Sequence, residues 1–267
     1  MRAAVAQLYA VPCNPEANLA TMESAICDAA ASGADVVCFS ELFYSGYHLN
    51  RAEMERLALY PDSTEIRQMC AMAANNRIYV LVSFPERDPD TGALYIAATL
   101  IGPQGTILLH HRKTYRWEGE QDIFTAGHSY EICNTAFGKV GILICYEMEF
   151  PEPARILTLQ GAQVLLVTSA FDETEEMRRY LCALAIQNQC WVVAVNSVQP
   201  HLPYRGFSCV VDQYGRVMAG LEQQEQLLFC DIDMTDDRRR TAPHFRELDV
   251  STFSLLTRTA EDRIRSH

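Results

Sequence analysis

Short apolar runs alternate along the chain with longer stretches in which apolar residues recur every three or four positions, the two periods that distinguish strands from amphipathic helices. In the first half, runs at residues 3–8, 36–39, 78–84, 94–101 and 106–110 predict strands, and stretches at 14–31 and 64–75 predict helices. The first helix carries its own signals. Asn14 caps it, Pro15 suits its first turn, Leu19, Met22 and Ile26 fall on one face, and Gly33 follows its end. The second half repeats the order, with strands at 139–144, 164–168, 191–196, 207–212, 217–221 and 227–232 and helices at 152–160 and 175–189. The turns Gly102-Pro103-Gln104-Gly105 and Asp212-Gln213-Tyr214-Gly215 each join two late strands of their half. Two halves of β-α-β-α-β-β-β order, about 1–111 and 139–233, predict an α/β fold of two sheets stacked face to face with helices outside. No linker separates them, so residues 1–233 read as one domain. Residues 234–267 are charged and aperiodic, with Arg238, Arg239, Arg240, Pro243 and His244. They read as a C-terminal extension, either packed on a partner subunit or solvated.

The 267 residues are 49% hydrophobic and 21% charged, enough for a core that needs no covalent staples. A net charge of -12 and the lack of any basic block beyond Arg238–Arg240 argue against a nucleic-acid partner. The opening residues lack the long apolar segment of a secretory signal, and the longest apolar runs fall far short of the roughly 20 residues of a membrane helix. A cytoplasmic protein without a membrane partner is the expectation. The ten cysteines then read as buried thiols in a reducing compartment. They form no Cys-x-x-Cys pair and the histidines no His-x-x-x-His spacing, so no metal is expected.

In α/β sheets ligands gather at the carboxyl ends of strands. Three predicted strands end on reactive side chains: Glu41 after 36–40, Lys113 after 107–112 and Cys145 after 140–144. Taken singly, such a cysteine is a core thiol and such a Glu or Lys a surface charge. Their local sequences change that reading. Phe39-Ser40-Glu41-Leu42-Phe43-Tyr44-Ser45-Gly46-Tyr47, His111-Arg112-Lys113-Thr114 and Gly141-Ile142-Leu143-Ile144-Cys145-Tyr146-Glu147-Met148-Glu149-Phe150-Pro151-Glu152 occur in this order. They resemble the glutamate, lysine and cysteine motifs of the nitrilase-like carbon-nitrogen hydrolases. The likeness covers nearly the whole chain, continuing through Gly161-Ala162, Asn188 and Arg205-Gly206-Phe207-Ser208.

The resemblance implies a four-layer α-β-β-α sandwich with a Cys-Glu-Lys triad, commonly in homodimers or larger homo-oligomers paired through the outer helices. Cys145 would attack the carbonyl of a small amide after Glu41 takes its proton. Lys113 and the backbone N–H of Tyr146 would hold the oxyanion, and Glu41 would then activate water against the thioester. No cofactor is needed. Glu120, seven residues before Gly127, matches an acidic residue that positions substrate and base in related amidases; Glu118 competes with it, and both also read as solvated loop charges. Tyr146-Glu147 after the cysteine is similar to the amidase branches rather than the nitrile-hydrolysing ones. The stretch through Glu149 resembles amidases of short ω-amino-amides such as 5-aminopentanamide. Glu149 either pairs with a substrate ammonium or faces solvent at a helix start. Tyr47, Ser169 and Ala170 are further substrate-binding candidates. Cleavage of an N-carbamoyl amine is the alternative reaction, and a catalytically silent member binding a metabolite or partner is the alternative of another class. Three departures stand out: Ser40 replaces a usual Pro, Tyr115-Arg116 a usual His-Leu, and Leu184-Ala185-Ile186-Gln187-Asn188 a usual Arg-Ala-x-Glu-Asn.

Overall fold

The computed structural model describes residues 1–199, 206–236, 247–249, 251–254 and 257. Arg205 of the family-like segment and Arg238, Arg239, Arg240, Pro243 and His244 lie outside the described residues. The chain forms two compact units, Met1–Met234 and Thr235–His267. No helix among the described residues is long and apolar enough to cross a membrane.

In the first unit the chain runs β1 (Arg2–Gln7), α1 (Pro15–Ala31), β2 (Val36–Phe39), α2 (Arg51–Leu57), α3 (Thr64–Asn76), β3 (Tyr79–Arg87), β4 (Leu94–Ile101) and β5 (Ile107–Arg112). It continues through β6 (Ile132–Thr135), β7 (Gly138–Ile144), α4 (Pro151–Gln160), β8 (Val164–Ser169), α5 (Thr174–Asn188), β9 (Trp191–Asn196), β10 (Cys209–Val211), β11 (Val217–Gly220) and β12 (Gln226–Asp231). Asn14 caps α1 by accepting from the Ala17 N–H, and Leu19, Met22 and Ile26 are buried as the periodicity predicts. Helix α2 and strand β6 carry no strong apolar period and were not expected from it.

Two mixed six-stranded sheets result, in the orders β12-β1-β2-β3-β4-β5 and β11-β10-β9-β8-β7-β6. Strands β1, β2 and β3 are parallel, as are β7, β8 and β9. Parallel strands covered on both faces are apolar throughout rather than alternating, and β8 and β9 are buried at every position. Within β1 the faces divide: Ala3 and Val5 join the core shared with the second sheet, whereas Ala4 and Ala6 pack with Leu19, Met22 and Ile26 of α1 and Met69 and Met72 of α3. The first sheet faces the second through β1 and β2 against β8 and β9, while α4 and α5 cover the second sheet's outer side. This is the α-β-β-α order of layers. One strand departs from the two-halves reading: β12, near the end of the second half, pairs antiparallel with β1 and so belongs to the first sheet.

Candidate active site

The three predicted strand ends converge. Glu41 follows β2, and its backbone N–H reaches the carbonyl of Ser169 at the end of β8 (3.4 Å), a link across the two sheets. The next residue, Leu42, takes a left-handed φ of 51° and donates its N–H to Ser83 Oγ (3.0 Å), which turns the chain out of the sheet and toward Tyr47. Gly46 completes that turn at φ 84°; a Cβ there would stand 2.8 Å from Pro12 Cα, so no side chain fits. Lys113 follows β5, its N–H bound to Ile96 O and its carbonyl to the Gly127 N–H, both at 2.8 Å. A Cβ on Gly127 would lie 2.1 Å from the carbonyl oxygen of Arg112, so the glycine is what lets this loop close on Lys113.

Cys145 opens a 3-10 turn, Cys145–Glu149, directly after β7. Its φ of 47° is rare for a residue with a side chain, a local strain held by the surroundings. Glu147 supplies much of that hold. Its Oε2 accepts the Ile144 N–H (2.7 Å), and its Oε1 accepts the N–H (2.7 Å) and hydroxyl (2.9 Å) of Thr114. His111 Nε2 lies 2.9 Å from Oε2 and Tyr130 OH 3.3 Å from Oε1. One buried carboxylate thus ties the residue before Cys145 to the residue after Lys113. Burial works against its charge, but His111 and the backbone donors hold its pKa below the ordinary value.

At the centre, Lys113 Nζ donates to Glu41 Oε1 at 2.7 Å and to Glu120 Oε1 at 2.8 Å. Tyr47 OH donates to the same Glu120 oxygen (2.6 Å), and the Trp117 N–H to Glu120 Oε2 (2.8 Å). Glu120 is therefore no solvated loop charge: it is 7% exposed, against 1% for Glu41, 0% for Lys113 and 4% for Cys145. Glu118 is exposed.

Glu41 Oε2 is buried without a hydrogen-bond partner, and the Cys145 thiol is the neighbour that acts on the carboxylate besides Lys113 and Glu120. Burial, partly offset by Lys113 and reinforced by Glu120, pushes the Glu41 carboxyl up to about 7. Burial also pushes the Cys145 thiol well above its ordinary value; Glu41 and Glu120 add to that rise, while Lys113 and the Ala170 N–H counter it. Lys113 loses from burial but gains more from the two carboxylates, so its ammonium stays charged. The resting arrangement is a thiol beside a carboxylate poised near neutrality, not a thiolate stabilised by lysine.

A small pocket of about 40 Å³ lies over Cys145, lined by Tyr47, Trp117, Tyr146, Ala170, Phe171 and Asp172. A larger cavity of about 320 Å³ adjoins it and shares Tyr47 and Trp117 as walls. Of the expected substrate contacts, Tyr47, Tyr146 and Ala170 line the small pocket, and Ser169 and Glu149 line neither cavity. Ser169 is fully buried, its hydroxyl donating to Val195 O (3.1 Å) and its carbonyl accepting from Glu41 and Ser197. It braces the site from behind. Glu149 is half-buried beside Glu176 and Tyr180 of α5; burial raises its pKa, Glu176 adds to the rise and Tyr180 counters it.

Two contributors went unread in the sequence. Asp172, exposed, puts a carboxylate on the small pocket. Buried Asn196 accepts from the Phe171 N–H (2.7 Å) and donates to the carbonyls of Phe171 and Gly206 (both 2.8 Å), fixing the loop that carries Ala170. The Tyr115-Arg116 departure also acquires a role: Tyr115 stacks on Phe150 at 3.9 Å between ring centres, and Arg116 holds the Phe124 carbonyl at 2.8 Å. Among the described residues no group of three His, Cys, Asp or Glu side chains is arranged to hold a metal ion.

Residues 2–240 match the carbon-nitrogen hydrolase family. The chain is 30% identical over 236 residues to the omega-amidase NIT2 of Mus musculus, covering 81% of this chain and 83% of that protein. It is 30% identical over 224 residues to an (R)-stereoselective amidase of a Pseudomonas species, covering 81% and 80%. A solved structure of the nitrilase-superfamily amidase from Nesterenkonia sp. AN1, with the acetamide moiety of fluoroacetamide added to its active-site cysteine, superposes with a TM-score of 0.78. That similarity is 26% in sequence and covers 93% of this chain and 97% of the other.

Proposed function

We propose that this chain, which belongs to the carbon-nitrogen hydrolase family, is a cysteine-dependent amidase that hydrolyses a small primary amide to a carboxylate and ammonia. The observation that carries the reading is that Lys113 joins Glu41 and Glu120 by hydrogen bonds beside Cys145, which itself lines a small pocket. The amidase relatives favour an amide over a nitrile as substrate.

The chemistry follows from the charges. Glu41, with a pKa near 7, is matched to take the thiol proton at neutral pH as Cys145 attacks the amide carbon. The carbonyl oxygen becomes an oxyanion between the Lys113 ammonium and the Tyr146 N–H, which lies in the first turn of a 3-10 segment where N–H groups have no partner within the turn. Glu41 returns the proton to the leaving nitrogen, releasing ammonia and leaving a thioester on Cys145. The same carboxylate then activates water, and the second oxyanion collapses to carboxylate and free thiol. Glu120 keeps Lys113 aimed, since it shares the ammonium with Glu41 and is itself held by Tyr47 and Trp117.

The test is ammonia release from propanamide by the wild type and by Cys145→Ala, with intact mass measured after rapid acid quench. The expected result is turnover by the wild type alone and a transient adduct of acyl mass on Cys145. Turnover by Cys145→Ala within tenfold of wild type would reject the reading. The protein further pairs with a second copy through α4 and α5, a reading supported by Ile156, Leu159 and Ile186, which stand 41%, 45% and 47% exposed on those helices.

A further inference from the structure

We infer that the larger cavity beside the Cys145 pocket is an acyl-chain pocket that selects amides with an aliphatic tail of about four to six carbons that does not end in a carboxylate. The inference rests on the amidase reading and adds a substrate class to it.

The two volumes carry the argument. About 40 Å³ over Cys145 is close to the share of one water molecule, roughly 30 Å³, so it accommodates the reacting amide group and little of a chain. The adjoining cavity of about 320 Å³ has room for roughly ten waters. Tyr47 and Trp117 stand in both linings, so a substrate whose carbonyl sits at Cys145 reaches the cavity by extending past these two rings. The walls beyond them are mostly apolar, with Leu42, Leu49, Met54, Ile96, Ile123 and Phe124, and His48 adds a polar ring. Glu120 also borders the cavity, but its oxygens already accept from Lys113, Tyr47 and the Trp117 N–H. It offers little to a polar ligand.

Charge narrows the tail further. No lysine or arginine lines the cavity, burial lowers the pKa of its one histidine, His48, and its two carboxylates, Glu118 and Glu120, would repel an anion. A tail ending in a carboxylate is disfavoured. The carboxylate expected to receive an amino-amide, Glu149, lines neither cavity, so the length of the apolar wall sets the preference for chain length.

The experiment compares propanamide, hexanamide and adipamate, the six-carbon monoamide ending in a carboxylate, by kcat/KM for ammonia release. Each buried methylene is worth about fourfold, so hexanamide should exceed propanamide about 60-fold, and adipamate should fall at least about tenfold below hexanamide. Leu49→Trp and Ile123→Trp, which fill the cavity from two half-buried wall positions, should collapse the hexanamide-to-propanamide ratio toward one. A wild-type ratio near one, or adipamate equal to hexanamide, overturns the inference while leaving the amidase reading intact. Calorimetric binding of the three compounds to Cys145→Ala supplies the reverse case. Tighter binding of hexanamide with no turnover of any amide by the wild type would keep the pocket and remove the amidase.

Discussion

The heaviest demand on one side chain falls on Glu147, and its removal gives a measurable cost. In Glu147→Ala the N–H groups of Thr114 and Ile144 and the His111 ring nitrogen lose their shared acceptor inside the protein. The Thr114 and Tyr130 hydroxyls are hydrogen-bonded to each other and keep that partner, so they add little. Leaving a buried donor unpaired costs about 1–3 kcal/mol. Three of them, with part of the loss recovered by water entering the vacated space, destabilise the fold by roughly 3–5 kcal/mol. Against a total of about 5–15 kcal/mol this is a large share. Urea unfolding followed by tryptophan fluorescence should show the midpoint falling by roughly 1–2 M. Glu147→Gln keeps one acceptor oxygen but turns an NH2 toward one of the same donors, so it should cost about half as much. In Glu147→Gln, kcat/KM should drop about tenfold to a hundredfold, because small displacements of a nucleophile from its cation are expensive in rate. A Glu147→Ala protein within about 1 kcal/mol of wild type would refute the reasoning, since it would mean these donors find other partners at no cost.

Four further outcomes are expected. Because Glu41 acts as a base with a pKa of about 7, kcat/KM for an amide should rise with pH through that value and level off above it; a profile flat from pH 5.5 to 8 would exclude that role. The same shift runs the other way for stability. Between its ordinary value of 4.5 and about 7 the native state keeps a proton the unfolded chain has released, so this group's contribution falls as pH rises through that window, and Glu41→Gln should flatten the slope in pH-dependent unfolding. Gly46→Ala meets both a positive φ and the Pro12 backbone, and should lose about 1–3 kcal/mol in urea unfolding with a raised KM as Tyr47 shifts; unchanged values would show that the turn relaxes freely. Ile186→Asp should convert the proposed dimer to a monomer by light scattering, and an unchanged mass would move the interface elsewhere.

Much of this site was legible because its triad segments are local in sequence: an apolar strand, then the reactive residue. The periodicity of α1 and its cap at Asn14 were equally plain. Helix α2 was missed because only Met54 and Leu57 of its seven residues are buried, too few to show a period. Its one signal was the reciprocal cap between Asn50 and Glu53. Strand β6 is a half-exposed edge of four residues, which leaves no run to read. Apart from the Ile144 N–H three residues before Glu147, the roles of Glu147 and Asn196 depend on partners brought in by other segments, and no spacing encodes them. Glu149 looked close to the nucleophile along the chain, yet the 3-10 turn carries it to α5. The location of β12 was hidden for a similar reason: its partner β1 lies more than two hundred positions earlier.

The amide of Glu41 reaching the carbonyl of Ser169 joins ends of central strands that belong to different sheets. Base and ammonium ride on one slab, sulfur on the other, so reactivity measures how the slabs are seated. Two correctly formed layers slipped by a single ångström would keep their circular dichroism while losing turnover. Ammonia output is thus a sharper gauge of that seam than any spectroscopic signal of secondary structure.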